Sequence, residues 1–174
     1  RAVSLCESTL AFGRAEEPAP TLTMVGLADV VEDVMASEML ATEGCHVDFA
    51  NDVPPALRVR GDPEQLFRVL LNLVRNAHQA ISATKQPGEV RITAREDDLA
   101  WSIEVSDTGP GLPPKARDNL FTPFQGGARK GGSGLGLAIA AELVRGHGGT
   151  LKLVSTGQDG TVFAVTLPRG DGTL

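Results

Sequence analysis

Asp62-Pro63, followed by apolar residues at 66, 70, 73, 74, 77 and 81, constrains the fold of this chain more than any other stretch. The aspartate is a natural N-cap, the proline suits the first helical position, and Gln65 stands where a capping box wants it. The spacing predicts a helix running to about residue 83, closed by Lys85-Gln86-Pro87-Gly88. One stripe of that helix is aliphatic and the neighbouring flank is polar, so it needs an apolar layer to lie on.

The segments around it supply that layer. Residues 21–25, 46–50, 57–60, 89–95, 101–106, 150–154 and 161–167 read as strands, several of them alternating. Helical spacing covers about 28–42, with Gly44 as a stop, and about 135–145, ended by Gly146 and Gly148-Gly149. Asn51-Asp52-Val53-Pro54-Pro55 reads as a turn, and residues 113–121 as irregular or a short helix. Strands and helices do not alternate strictly, as a parallel sheet would require. The expected class is α+β: a two-layer α/β sandwich with helices packed on one face of a mixed sheet.

Composition narrows the function. Aromatics make up only 4% of the 174 residues, so the core is aliphatic. A net charge of −6, with no basic run longer than two residues, argues against a general nucleic-acid platform. Cys6 and Cys45 form neither a disulfide framework nor a metal spacing, which suggests a reducing compartment. No apolar stretch is long enough for a membrane span. Val3, Cys6 and Leu10 have helical spacing, and Pro18-Ala19-Pro20 breaks it. The chain opens on Arg1 inside that spacing, so it is read as a fragment. Residues 1–20 are then the end of another module plus a linker, 21–170 the main domain and 171–174 a tail.

Three features carry chemistry. Asn72 and Asn76 lie four residues apart on the long helix and point the same way, with Gln79 one turn beyond. An Asn oxygen is a neutral, hard ligand suited to Mg²⁺, although solvated positions on an amphipathic helix look the same. Residues 131–140, rich in glycine, run straight into a helix, whose N-terminal amides suit phosphate; a flexible linker before a helix would also fit. Asp107 ends a strand and enters the sharp turn Thr108-Gly109-Pro110-Gly111. At the bottom of an apolar pocket its carboxylate would select an amine donor such as that of adenine, whereas an ordinary turn aspartate is the plainer alternative.

Taken together, the segments resemble the catalytic domains of sensor histidine kinases of two-component systems. Leu71-Asn72-Leu73-Val74-Arg75-Asn76-Ala77 is similar to their N box, and Asp107-Thr108-Gly109-Pro110-Gly111-Leu112 to their G1 box. Leu120-Phe121-Thr122-Pro123-Phe124 is similar to the F box, and Gly132-Ser133-Gly134-Leu135-Gly136-Leu137-Ala138-Ile139 to the G2 box. The tail of 160–168 resembles the family's closing strand. The resemblance covers about residues 22–168 and implies the Bergerat sandwich shared with gyrase, mismatch-repair and chaperone ATPases. It implies Mg-ATP, with adenine against Asp107 and a water network including Thr161. It further implies Mg²⁺ on Asn76, with Asn72 and Gln79 near the phosphates. Gly109, Gly111, Leu112 and Phe121 join the ATP site. Residues 125–133 become an ATP lid offering Arg129 and Lys130, Gly132 and Ser133 join the ATP site, and the amides of Gly134, Leu135, Gly136 and Leu137 hold the β- and γ-phosphates. The expected catalytic residues are Asn72, Asn76 and Lys130.

One departure bears on the chemistry. Relatives in the superfamily that hydrolyse ATP carry a glutamate base where this chain has Asn72, and an amide cannot accept that proton. The domain is therefore expected to keep its ATP and donate the γ-phosphoryl group elsewhere. The resemblance implies an acceptor histidine on a dimerising helical hairpin, and His46, His78 and His147 do not fit its motif. His78 is expected at the helix surface beside the site. The implied partners are that hairpin domain and a response-regulator receiver domain, in a homodimeric parent whose catalytic part is cytoplasmic. The alternatives are a degenerate phosphotransfer or interaction module without nucleotide, a gyrase-type ATPase, and an anti-sigma serine kinase.

Overall fold

The computed structural model describes residues 17–41, 46–122 and 135–170. The proposed N-terminal helix, Gly44, the lid segment 125–133 and the tail 171–174 lie outside the described residues.

In chain order the elements are β1 (Thr23–Gly26), α1 (Leu27–Leu40), β2 (Val47–Asp52), β3 (Arg58–Gly61), α2 (Pro63–Ser82) and β4 (Gly88–Glu96). Then come β5 (Ala100–Asp107), α3 (Pro114–Arg117), α4 (Gly136–Gly146), β6 (Thr150–Gly157) and β7 (Gly160–Pro168). Five strands form one mixed sheet in the order β2-β4-β5-β7-β6. Only β2 and β4 pair in parallel; the other pairs are antiparallel. β1 and β3 form a separate two-stranded antiparallel sheet. The expected two-layer α+β sandwich is therefore the observed architecture, with one small sheet added.

The alternation of β5 explains the layering. Trp101, Ile103, Val105 and Asp107 are buried while the residues between them are less so. β7 does the same with Thr161, Phe163, Val165 and Leu167. Both rows face the helices, and α2 lies across the sheet with α1 on one side and α4 on the other. Leu66, Val69, Leu70, Leu73, Val74 and Ile81 of α2 are essentially inaccessible. Each such side chain contributes about 1.5–3 kcal/mol on burial, so this helix is the spine of the core.

Its start is tied down as expected, except for the capping box. Asp62 Oδ1 accepts the N–H groups of Glu64 at 3.0 Å and Gln65 at 3.2 Å, and Oδ2 accepts that of Thr21 at 2.9 Å. Gln65 does not reach back to close the box. Its amide donates to the carbonyl of Pro18 at 2.7 Å, and the Asp62 N–H donates instead to His147. Arg68 makes a two-pronged contact with Glu17. The chain entering the domain is thus pinned along the first two turns of α2.

Candidate functional site

Asp107 is the last of the core-facing residues of β5, a carboxylate where the pattern has so far placed apolar side chains. It is 8% exposed and stands directly opposite Thr161 of β7. Its Oδ1 accepts the N–H of Gly109 at 2.8 Å. Two backbone approaches shape the turn. Gly160 has φ +130°, and a Cβ there would sit 1.8 Å from the Asp107 carbonyl. Gly111 has φ +85°, and a Cβ there would sit 2.4 Å from the Gly157 carbonyl. Only glycine tolerates both the conformation and the contact, so the β6–β7 hairpin closes against the loop after β5. A side chain at Gly109 would enter the gap between the Asp107 carboxylate and Ala80 of α2.

Three side chains line this end. Leu112 is buried, and its N–H donates to Thr156 Oγ1 at 2.8 Å. Thr156 Oγ1 lies 2.9 Å from Thr161 Oγ1. Phe121 packs edge-on against Phe163, 6.2 Å between ring centres. Strand alternation alone does not place Thr156 here, because its position depends on a slip in strand register.

Along α2 the polar flank continues. Asn72 and Asn76 are half-buried and Gln79 is exposed. A Cβ on Gly136 would lie 3.5 Å from Asn72 Oδ1, which brings the first turn of α4 over that asparagine. Leu135, the N-cap of α4, makes no side-chain cap, and Leu137 is buried. From Asn72, beside Gly136, to Ala80, beside Gly109, is eight residues, or about 12 Å of helix. Arg129, Lys130, Gly132, Ser133 and Gly134 lie outside the described residues.

His78 corrects an expectation. It is 2% exposed, not a surface residue. Two residues past Asn76 is roughly 200° around a helix, so His78 points away from the asparagine flank and towards α1 and β2. Its Nδ1 is 2.9 Å from Glu38 Oε1, its ring meets Phe49 edge-on, and Arg75 reaches the other Glu38 oxygen at 3.4 Å. Among the described residues its Nε2 has no hydrogen-bond partner.

Two carboxylates of the frame are held below the ordinary range. Asp62 is lowered chiefly by the Thr21 N–H, then by those of Gln65 and Glu64, against partial desolvation. Asp97 is lowered by the N–H groups of Leu99 and Ala100. No cluster of three His, Cys, Asp or Glu able to hold a metal occurs among the described residues. A cation here would depend on a neutral amide oxygen and on oxygens brought by a ligand, which suits Mg²⁺ held together with phosphate. A buried carboxylate among aliphatics at the other end suits a hydrogen-bond donor such as an aromatic amine. No helix of the described residues is long and apolar enough to cross a membrane.

Residues 61–171 match the family model described as histidine kinase-, DNA gyrase B-, and HSP90-like ATPase. The chain is 40% identical over 134 residues to the sensory histidine kinase/phosphatase NtrB of Salmonella typhimurium, covering 71% of this chain and 37% of that protein. It is 40% identical over 119 residues to the C4-dicarboxylate transport sensor protein DctB of Rhizobium meliloti, covering 68% and 19%. Full-length ShkA, solved in complex with AMPPNP, is 28% identical with a TM-score of 0.80, covering 96% of this chain and 35% of that one. The matches thus span well under half the length of these proteins.

Proposed function

The chain belongs to the histidine kinase-, DNA gyrase B-, and HSP90-like ATPase family, and on that premise we propose that it is the ATP-binding catalytic domain of a sensor histidine kinase. Its task is to hold Mg-ATP and deliver the γ-phosphoryl group to a histidine on a helical hairpin domain of the parent protein. An aspartate of a response-regulator receiver domain then takes the group onward. The parent is a homodimer joined through the hairpin, residues 1–20 are the end of that hairpin plus a linker, 21–170 the catalytic domain and 171–174 a tail. The catalytic domain works in the cytoplasm.

The observation that carries this reading is the order of groups along α2. A buried carboxylate stands at the Ala80 end, two amide side chains follow, and a helix N-terminus lies over Asn72. That order suits base, sugar and phosphates of one extended nucleotide. Asp107 accepts the adenine amine, with Thr161 acting through a water. Gly109, Gly111, Leu112 and Phe121 bound the base. Asn76 holds Mg²⁺ and Asn72 stands on the phosphate side, while Gln79, exposed and next to Ala80, falls towards the base end of the same flank. The α4 amides from Leu135 to Leu137, preceded by Gly132, Ser133 and Gly134, receive the terminal phosphates, and Arg129 and Lys130 add positive charge. When bound, Mg²⁺ supplies the charge neutralisation that phosphoryl transfer needs. Asn72 positions without accepting a proton, which keeps water from attacking in the acceptor's absence.

Calorimetric titration of the chain with a non-hydrolysable ATP analogue, with and without Mg²⁺, tests the reading. Saturable binding strengthened by Mg²⁺ is expected, and Asn76→Ala removes the Mg²⁺-dependent part. Absence of binding at millimolar analogue would leave the fold and overturn the function in favour of a nucleotide-free interaction module.

A further inference from the structure

Strand β6 begins in regular alternation, with Leu151 opposite Val165 and Leu153 opposite Phe163. Continued alternation would turn Ser155 towards the helices and Thr156 away from them. The register shifts between Leu153 and Ser155 instead. Val154 becomes an extra residue, 58% exposed, and Thr156 comes to stand opposite Thr161. Bulges re-aim the side chains that follow them. This one delivers a hydroxyl to the edge of the site, where it accepts the Leu112 N–H and meets the Thr161 hydroxyl.

We propose that Thr156 is a positioning residue that sets the direction of the Thr161 hydroxyl, and through it the preference of the site for adenine over a 6-oxopurine. The inference rests on the nucleotide reading of the same site. A hydroxyl has one proton and two lone pairs. Thr156 already accepts from Leu112, so donating its proton to Thr161 uses every group: Leu112 N–H to Thr156, Thr156 to Thr161, and the Thr161 proton onward to the water at the base edge, whose own protons then face Asp107 and the base. The opposite order makes Thr156 a double acceptor and leaves its own proton without a partner in a half-buried place. Chains that run one way also reinforce each other. The result is a donor beside an acceptor, the water ordered by Thr161 next to Asp107. Adenine presents the complement, an amine at C6 and a bare N1. Hypoxanthine and guanine present a carbonyl and an N–H there, which is the reverse.

The test titrates the 174-residue chain with ADP and with inosine 5′-diphosphate, following thermal unfolding in parallel. Thr156→Val removes the hydroxyl at constant shape and frees Thr161 to rotate. ADP affinity is expected to fall about tenfold while inosine diphosphate affinity does not fall, so the preference narrows about tenfold. Thr156→Ser is expected to restore it. Equal losses for both nucleotides, or an unchanged ratio, would overturn the proposal, since a merely structural role weakens both alike. Thr156→Ala reads the same ratio where the valine variant does not fold. A wild-type chain that binds neither nucleotide sinks the nucleotide reading and this inference together; wild-type binding with a ratio unmoved by Thr156 sinks the inference alone.

Discussion

The backbone N–H of Asp62 donates to Nε2 of His147 at 3.0 Å, while Nδ1 of the same ring donates to the Leu143 carbonyl at 2.8 Å. Only a neutral imidazole with its proton on Nδ1 makes both bonds. The ring, 8% exposed, thereby joins the start of α2 to the end of α4, the two helices that bracket the asparagine flank. His147→Ala leaves the Asp62 N–H without an acceptor and opens a small cavity. A loss of about 2–3 kcal/mol in urea unfolding is expected. A change under about 0.5 kcal/mol, the size of an ordinary surface substitution, would show that the bond contributes nothing.

Asp62 gives the frame a defined pH dependence. Its carboxyl is held below the ordinary carboxylate range, chiefly by the Thr21 N–H. A depressed folded-state pKa contributes stability that is present above the unfolded value and lost as pH falls through the folded one. Wild type is therefore expected to lose stability below about pH 4 more steeply than Asp62→Asn, which still caps but does not titrate. At neutral pH Asp62→Ala costs about 1 kcal/mol through the lost cap. Identical acid-unfolding curves for wild type and Asp62→Asn would count against the assignment.

Much of this was readable because it is local. The α2 pattern, the alternation of β5 and β7, and the glycines around Asp107 each declare themselves within a few residues of the chain. What the chain hides is long-range. Nothing near residue 58 says that β3 pairs with β1 while β2 lies parallel to β4. His78 looked like a surface residue because its partner, Glu38, is forty residues away on α1. Gln65 fits a capping box, yet the Asp62 N–H that it would accept goes to His147 Nε2, and the Gln65 amide donates to the Pro18 carbonyl. Thr156 was hidden by the bulge, which inverts the face that period two assigns.

Glu38 and His78 should be coupled. Both are buried, 3% and 2% exposed, and each answers the other's polarity. Removing either one breaks the buried Nδ1–Oε1 contact, with Arg75 still on the other Glu38 oxygen, so Glu38→Leu and His78→Leu are each expected to cost roughly 2–4 kcal/mol. The double variant is expected to cost clearly less than the sum, by about 1 kcal/mol or more in a double-mutant cycle. Strict additivity would mean the pair acts as two separate packing residues.

Asp107→Asn keeps the size of the side chain and its ability to accept the Gly109 N–H, but adds donors where a carboxylate stood. Folding is expected to change by less than about 1.5 kcal/mol, because the retained bond to Gly109 preserves the turn. Affinity for an ATP analogue is expected to fall by roughly 10- to 150-fold, the span of a lost hydrogen bond to a charged group. Calorimetry and thermal unfolding on the same sample separate the two. Unchanged affinity would remove Asp107 from the adenine role.

Asn72 offers the reverse experiment, a gain. The first turn of α4 stands over its Oδ1, so a side chain here reaches the place proposed for the terminal phosphates. An amide cannot take a proton from water there, whereas a carboxylate can, and a positioned base is worth about 10²–10⁴ in rate. Asn72→Glu is therefore expected to raise basal phosphate release from ATP by on the order of tenfold or more, less than a fully evolved base would give. The same change places a negative charge near the phosphates, so ATP affinity drops while turnover at saturation rises. Turnover that stays flat at saturating ATP in a folded variant would show that Asn72 does not face the attacking water, and would move the proposed phosphate end of the site away from it.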